Sequence, residues 1–178
     1  MILRGEVMYI RHFKQEDASE YWALRLRALE ECPESFGASY EEEKGKPISS
    51  IAQRLKESYE ATDSESILGC YDEENRLIGI VGLFREKREK LRHKATINAM
   101  YVAPEARTKG AGKALLMEAI NRGKQMKGLE QINLGVVVTN TEAKSLYKRC
   151  GFEVYGVEKN ALKLPDKYLD EELMVYML

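Results

Sequence analysis

Residues 100–112, MYVAPEARTKGAG, constrain the fold more than any other stretch of this chain. An apolar segment ends at a proline, a turn with cationic side chains follows, and two glycines lead into the helical pattern KALLMEAI. A turn of this kind presents backbone N–H groups at the N-terminus of a helix, where the helix dipole favours a negative charge. Arg107, Lys109 and Lys113 add positive charge at the same place. The stretch therefore predicts a site that suits a pyrophosphate group.

Length and charge limit the class of protein. At 178 residues the chain can build one sizeable core, so we predict a single domain over residues 1–178, with residues 1–7 as a loose N-terminal extension. The 28 basic and 29 acidic residues nearly cancel, which argues against a dedicated nucleic-acid-binding protein. No apolar run approaches the roughly 20 residues that span a bilayer, and the N-terminus lacks the apolar core of a signal peptide. We therefore expect neither a nucleic-acid nor a membrane partner.

The cysteines indicate a reducing compartment. Cys32, Cys70 and Cys150 are odd in number and widely spaced, and no CxxC or Cys/His spacing suggests zinc. A disulfide framework is not expected either. A cytoplasmic location without a metal fits this pattern best.

The hydrophobic pattern predicts a mixed α/β chain with the order β-α-α-β-β-β-α-β-α-β-β. Two helices follow the first strand, and a hairpin with the turn DEENR comes before the strand that leads to the glycines. Residues 33–47 are predicted to form an irregular loop, and the charged run 85–94 a solvated turn. The later predicted elements are a helix at 113–127, a strand at 131–138, a helix capped by Asn140 or Thr141, and two strands at 152–157 and 172–177.

The R-x-x-G-x-G spacing at residues 107–112 is a weak signal by itself, because glycines at a strand-to-helix turn are common for conformational reasons. The chain has no P-loop, and its glycines come after several strands, which argues against a dinucleotide fold. A second pattern, N-x-x-A-x-x-L-Y-x-x-x-G-F, follows at residues 140–152. Together the two patterns resemble the GNAT family of acetyl-CoA-dependent N-acetyltransferases. MYVAPEARTKGAGKALL looks like the acetyl-CoA loop of that family, and NLGVVVTNTEAKSLYKRCGF looks like its following strand and helix.

The resemblance implies a fold and a set of contacts to acetyl-CoA. The fold would have a mixed, mostly antiparallel central sheet flanked by helices. The main chain of Met100, Tyr101 and Val102 would bind the pantetheine arm, which extends the sheet like an added strand. Asn140 would bind the pantetheine side of the cofactor, and Tyr147 would stand near the thioester sulfur. The amides that would hold the pyrophosphate are those of Arg107, Thr108, Lys109, Gly110, Ala111, Gly112 and Lys113.

Position 108 departs from the family pattern, which very often has glycine there. The phosphate contacts come mainly from the backbone, so Thr108 need not abolish binding, and its hydroxyl is a further donor to phosphate. We expect the loop to be limited to conformations that a β-branched residue tolerates.

The implied reaction is direct attack of a primary amine on the thioester of acetyl-CoA in a ternary complex. A lysine-type amine has a pKa of about 10.4 and must lose a proton, and the leaving thiolate, whose parent thiol has a pKa of about 8.5, benefits from a nearby acid. Tyr147 is the candidate acid, although its helical spacing also fits a core aromatic. Asn140 likewise fits a helix cap as well as a cofactor contact.

The sequence does not identify the base. Several family members carry a glutamate on the strand before the loop, and the matching position here is Thr96, which cannot act as a base. Strand alternation is expected to place Thr96, Asn98 and Met100 on one face, where Asn98 would position a water. His93 is a possible base, and glutamates at 41–43 lie where family members shape the acceptor site, but both also fit ordinary solvated side chains. A water relay or deprotonation by solvent is the default.

The acceptor is left open, because a small-molecule amine and a peptide amine both fit the pattern. The missing glutamate at position 96 motivates an alternative function, an acyl-CoA-binding regulatory or partner-binding module with little catalysis. Homodimers are common in folds that resemble this one, so a homodimer is one expectation for the assembly.

Overall fold

Seven strands form one mixed sheet in the computed structural model of this chain, which describes residues 7–178. The strands are β1 (Tyr9–His12), β2 (Glu65–Tyr71), β3 (Leu77–Arg85), β4 (Lys94–Val102), β5 (Gln131–Val137), β6 (Glu153–Lys163) and β7 (Tyr168–Met177). They lie in the order β1-β2-β3-β4-β5-β7-β6, and every neighbouring pair is antiparallel except β4 and β5. The predicted mixed α/β fold with a mostly antiparallel sheet is confirmed. The predicted extension, residues 1–7, lies outside the described residues apart from Val7.

Within the described residues, five α-helices cover the two sides of the sheet. They are α1 (Ala18–Glu31), α2 (Tyr40–Glu43), α3 (Ile48–Glu60), α4 (Ala111–Gln125) and α5 (Thr141–Arg149). One apolar core lies between the sheet and α4 and α5, and a second lies between the sheet and α1 and α3. We call these two sides of the sheet the α4 face and the α1 face. None of the helices within residues 7–178 is long and apolar enough to cross a membrane.

Two stretches differ from the sequence-based expectation. Residues 33–47 are not wholly irregular, because Ser39 and Glu42 form a capping box that starts α2. The Ser39 hydroxyl accepts from the Glu42 amide (3.3 Å), and the Glu42 carboxylate accepts from the Ser39 amide (2.9 Å). The charged run 85–94 is not fully solvated either. Arg85 is 8% exposed, and its guanidinium donates to the carbonyls of Arg92 (2.6 Å) and Lys127 (2.8 Å).

The parallel pair β4 and β5 separates soon after it begins. Only residues 94–96 of β4 pair with residues 131–133 of β5. Beyond Thr96, β4 continues to Val102 against β3, and β5 continues to Val137 against β7. The edges that β4 and β5 turn toward each other therefore have no strand partner over this length. The two strands diverge here, and we call the gap between their unpaired edges the cleft.

A β-bulge turns the end of β4 within this cleft. Asn98 and Tyr101 pair with β3 residues that are only two positions apart, so that Ala99 and Met100 together oppose one residue of β3. Ala99 adopts a positive φ of 56°. As a result Met100 packs against the core of the α4 face, whereas Tyr101 is buried in the core of the α1 face.

The bulge corrects the expected orientation of the β4 side chains. Ala95 and Ile97 belong to the core of the α4 face, so Thr96 and Asn98, which alternate with them, lie on the α1 face. The expectation that Thr96, Asn98 and Met100 share one face is therefore wrong. Strict alternation fails because the bulge inserts one residue into the strand.

Candidate functional site

The cleft ends at the turn that precedes α4, where the predicted phosphate loop lies. A 3-10 turn at Pro104–Ala106 ends β4, and Gly110 adopts a left-handed φ of 93° as the N-cap residue of α4. This conformation costs glycine little, because it has no Cβ. The first intrahelical amide bond of α4 runs from Ala114 to the Gly110 carbonyl (3.0 Å). The amides before Ala114 are therefore left at the helix N-terminus.

Most of the predicted phosphate-binding amides are available to a ligand. Within residues 7–178, the backbone amides of four of these positions donate no hydrogen bond; they are Gly110, Ala111, Gly112 and Lys113. The Arg107 amide differs, because it donates to the Pro104 carbonyl (3.2 Å) and is already used by the 3-10 turn. The loop thus offers a row of N–H groups at the positive end of the helix dipole, which suits a pyrophosphate.

Thr108 adopts a conformation that β-branched residues disfavour. Its φ is 66°, in the left-handed region. The expectation that a β-branched residue limits the loop to conformations it tolerates is therefore wrong. The path of the chain from the 3-10 turn into α4 requires the left-handed backbone here, where glycine would be unstrained. A strain of about 1 kcal/mol or more is stored at this position.

Gly112 has a packing role in addition to its amide. A Cβ at this position would lie 3.2 Å from Leu146 of α5, 3.7 Å from Met100 and 3.7 Å from Val102. The missing side chain therefore lets α4 approach both α5 and the end of β4. This approach brings the helix N-terminus to the edge of the cleft.

The Arg107 side chain turns back toward β4. Its Nε donates to the Val102 carbonyl (3.1 Å), and its guanidinium lies 6.0 Å from the centre of the Tyr101 ring. One main-chain acceptor of the predicted pantetheine contact is therefore already bonded.

Lys113 is exposed at the first turn of α4, where it contributes positive charge. Burial raises the pKa of the Cys150 thiol, and the charge of Lys113 acts in the opposite direction with a smaller effect.

Asn140 caps α5. Its Oδ1 accepts a hydrogen bond from the Ala143 amide (3.1 Å), which confirms the predicted capping role. No hydrogen bond within the described part of the chain uses its Nδ2 group, so the cap leaves a donor for a second contact. The helix that Asn140 starts carries Tyr147 on its buried side.

Tyr147 lies on the α4 face, in the core between the sheet and α4 and α5. The side chain is 7% exposed, and its ring packs against Phe152 at a centroid distance of 6.0 Å. Burial raises the pKa of Tyr147 to about 12. The predicted core packing is confirmed, and the desolvated hydroxyl will remain protonated at neutral pH.

The α1 face of the cleft carries different groups. Asn98 is exposed there, on the opposite side of the sheet from Tyr147. On β5, Asn133, Gly135 and Val137 alternate with residues of the α4-face core and so share the face of Asn98. The Glu171 carboxylate of β7 lies over Gly135, since a Cβ at Gly135 would come within 2.6 Å of Glu171 Oε2.

The other candidates for a base lie elsewhere or are already bonded. His93 directly precedes β4, at the end where β4 and β5 pair rather than where they separate. Of the three glutamates in α2, Glu41 pairs with Lys44 (2.5 Å), Glu42 caps the helix, and Glu43 pairs with Lys46 (2.7 Å). Among residues 7–178, no group of three or more His, Cys, Asp or Glu side chains is arranged to hold a metal ion.

Two notable residues on the α1 face were missed by sequence reasoning. One is Glu171, which a glycine inside an otherwise apolar strand (Gly135) could have indicated, since such a glycine often marks a close approach. The other is Arg25 of α1. Its guanidinium stacks 4.6 Å from the centre of the Phe36 ring, its Nη1 is buried without a partner in the described structure, and burial lowers its pKa.

Known proteins share this architecture. The model of the Acetyltransferase (GNAT) family matches residues 25–152. An acetyltransferase of the GNAT family from Streptococcus pneumoniae has a TM-score of 0.85 at 21% identity, over 97% of this chain and 100% of that one. A protein from Salmonella typhimurium, solved with its cofactor acetyl-CoA, has a TM-score of 0.82 at 17% identity, over 96% and 94%. An uncharacterized N-acetyltransferase from Methanocaldococcus jannaschii is 39% identical over 79 residues, which are 44% of this chain and 33% of that protein.

The fold is the one that solved GNAT acetyltransferases share. Because the family model spans well over half of the sequence, the chain belongs to the acetyltransferase (GNAT) family. The family resemblance found in the sequence is thus confirmed, and the predicted cofactor agrees with the acetyl-CoA held by the S. typhimurium relative. The chain spans about a third of the length of the M. jannaschii protein.

Proposed function

We propose that this chain is an acetyl-CoA-dependent N-acetyltransferase that moves the acetyl group to a primary amine by direct attack in a ternary complex. One observation carries the proposal. The unpaired edge of β4 leads directly to the free amides at the N-terminus of α4. An extended pantetheine arm with a pyrophosphate at one end requires this combination.

The main chain of β4 would hold the pantetheine arm. Residues 100–102 lie beyond the last pair of β4 with β5, so an extended amide-containing ligand can complete the sheet there. Asn140 Nδ2 would add a donor from the opposite side of the cleft. Since Arg107 Nε bonds the Val102 carbonyl, this side chain would move or share that acceptor when the arm binds.

The amides at the start of α4 would hold the pyrophosphate. The free N–H groups of residues 110–113 point out of the helix, and the helix dipole contributes about half a positive charge. Lys113 adds a full charge on the same turn. The contacts are mostly to the backbone, so they depend on the loop conformation more than on its side chains.

Tyr147 would assist the leaving thiolate. A parent thiol has a pKa of about 8.5, well below the value of about 12 for Tyr147. The hydroxyl would therefore stabilise the thiolate as a hydrogen-bond donor and keep its own proton. The thiolate would then be protonated by solvent.

Asn98 would act on the acceptor side. It is exposed on the α1 face beside the start of the cleft, where it can position a water or the acceptor. Its side chain is separated from Tyr147 by the sheet, so we assign the two residues to different substrates.

The test is the release of CoA from acetyl-CoA in the presence of a panel of primary amines, followed with a thiol reagent. At least one amine is expected to give turnover, and initial rates against both substrates should give intersecting double-reciprocal lines. Parallel lines would contradict direct attack, because they indicate an acetyl-enzyme intermediate. Binding of acetyl-CoA without turnover on any small or peptide amine would contradict the proposed activity and favour a binding module.

A further inference from the structure

The position of the Glu171 side chain is not explained by an ion pair with another residue of the described structure. It lies on β7 opposite Val137 of β5, and its carboxylate extends over Gly135. Gly135 is two residues beyond Asn133, the last β5 residue that pairs with β4. The carboxylate is thus placed at the part of β5 that borders the cleft, and the missing side chain at 135 makes room for it.

The carboxylate lies on the side of the sheet opposite the cofactor loop. Ile132, Leu134 and Val136 of β5 are buried in the core of the α4 face, so the alternating Gly135 lies on the α1 face. Glu171 shares that face, together with Thr96 and Asn98 of β4. A ligand that enters along the α4 face and presents its end through the cleft would therefore meet Glu171 from across the sheet.

No cation neutralises Glu171 in the described structure. Lysines contact the carboxylates on either side of it in β7 instead, since Lys159 of β6 bonds Asp170 (2.7 Å) and Lys144 of α5 bonds Glu172 (2.7 Å). The group directly opposite Glu171 on β6 is Glu158, a like charge. Burial and this like charge raise the pKa of Glu171.

The charged side chains around Glu171 also affect which ligand its carboxylate favours. Glu158 faces it from β6, while Asn133, Gly135 and Val137 of β5 carry no charge. The turn Pro33–Ser35, which packs against β5, carries Glu34, and this carboxylate pairs with Lys167. A half-buried carboxylate with a like-charged neighbour and no bound cation favours an ammonium group as its partner.

We propose that Glu171 binds the acceptor ammonium group and takes its proton, as the general base that position 96 does not supply. This inference rests on the proposed N-acetyltransferase function. It implies that the acceptor approaches from the α1 face as a cationic primary amine.

An N–H of the ammonium donates to the Glu171 carboxylate and its proton passes to oxygen, which leaves a lone pair on nitrogen. Nitrogen then forms a bond to the thioester carbon, and the C–S bond breaks with its electron pair on sulfur. Nitrogen loses a second proton to solvent as the amide forms, and the thiolate takes one proton from solvent. Glu171 then releases its proton to solvent and returns to the carboxylate. The sum is one acetylated amine, one CoA thiol and one released proton.

The main experiment compares Glu171→Gln with Glu158→Gln as the matched control from the same face. With an amine found active for the parent protein, Glu171→Gln is expected to lower kcat about a hundredfold at pH 7, in the range usual for loss of a general base. Acetyl-CoA affinity by calorimetry should stay within twofold, because the cofactor contacts lie on the other face. Glu158→Gln should keep kcat within a few fold.

The pH profile separates a base from a structural residue. The acidic limb of kcat/KM for the amine should be absent in Glu171→Gln, whose rate should instead rise toward the pKa of the amine as solvent supplies the free base. Glu158→Gln should shift that limb to lower pH, since the like charge is gone. An unchanged profile in Glu171→Gln, or a kcat within threefold of the parent, would overturn the inference.

A double-mutant cycle with Gly135→Ala guards against a general folding effect. The added Cβ would displace the Glu171 carboxylate, so Gly135→Ala should lower kcat in the parent but not further in Glu171→Gln. Additive losses would overturn the inference. If the parent protein binds acetyl-CoA but acetylates no amine, the proposed function itself fails, whereas an active Glu171→Gln protein refutes only the base.

Discussion

The two faces of the cleft are built from different kinds of chemical group. On the α4 face, acetyl-CoA would be held by backbone groups of residues 100–102 and 110–113, with Asn140 and Tyr147 beside them. On the α1 face, the groups that would contact an acceptor are side chains, among them Asn98, Glu171 and Arg25. Binding of acetyl-CoA would therefore depend mainly on the conformation of a loop, whereas binding of the acceptor would depend on individual side chains.

This difference explains why the sequence predicts the groups of the α4 face better than those of the α1 face. The groups of the α4 face come from two continuous stretches, 100–113 and 140–152, and each stretch has its own recognisable spacing. The groups of the α1 face come from β4, β5, β7 and α1, which are distant in sequence. The predictions below test whether the two faces are independent, beginning with the largest expected effect.

The largest effect concerns the desolvated hydroxyl on the α4 face. Since burial raises the folded-state pKa of Tyr147 to about 12 from an ordinary value near 10, its contribution to stability is fully present below pH 10 and lost as the pH rises through 12. The loss amounts to about 2 to 3 kcal/mol above pH 12. Urea unfolding of the parent and of Tyr147→Phe between pH 9 and 12 measures it. The free energy of unfolding of the parent should fall relative to that of Tyr147→Phe as the pH rises above 10, and a difference that does not change with pH would show that Tyr147 is not desolvated.

The second prediction concerns the same residue in catalysis. Tyr147→Phe should lower kcat about tenfold, equivalent to about 1.4 kcal/mol of transition-state stabilisation, because the thiolate loses a hydrogen-bond donor. The KM for the amine should be unchanged, since the acceptor binds on the other face. A large change in that KM with kcat retained would contradict the proposal that the cofactor and the acceptor bind on different faces.

The third prediction concerns the charge at the start of α4. Lys113→Ala should weaken acetyl-CoA binding about fivefold at low salt, and the difference should shrink as salt rises, because the group is exposed and its field is screened. Lys124→Ala, near the other end of the same helix, is the matched control and should bind like the parent. Titration calorimetry at two salt concentrations distinguishes the outcomes. Equal losses in both variants would argue against a phosphate site at the N-terminus.

The smallest effect concerns backbone strain. Thr108→Gly should raise the free energy of unfolding by about 0.5 to 1 kcal/mol, because glycine adopts the positive φ of 66° without steric cost. Thr108→Ala keeps a Cβ and should bring little of this gain. Thermal unfolding measures the stability, and acetyl-CoA affinity should be at least as high in Thr108→Gly. A loss of affinity in both variants would instead assign the threonine hydroxyl to the phosphate.

Much of the fold followed from the sequence pattern. α1 ends before Pro33, α4 covers most of the predicted helix, and Asn140 caps α5 as expected. These features depend on residues that are neighbours along the chain, so capping, turn and periodicity rules apply to them directly. The capping box at Ser39 follows the same rules and could have been found.

Two features could not be found in this way. The bulge at Ala99 moves Met100 to the α4 face, and it exists because β4 must match the register of β3. Thr108 adopts a left-handed backbone because β4 and α4 must be joined there, against its own preference. The cytoplasmic location and the homodimer stay predictions. The identity of the acceptor is left open.

By itself the sequence determined the family, the cofactor class and the loop that would bind it, because a helix N-terminus with free amides is a local structure encoded by a short run of residues. Only the tertiary structure decided which groups lie together on the α1 face of the cleft. The separation of β4 from β5 and the approach of Glu171 to Gly135 depend on the pairing of strands that are distant in the chain. The carboxylate of Glu171 gains its position from that pairing, because Gly135 by itself indicates a close approach but not which residue makes it.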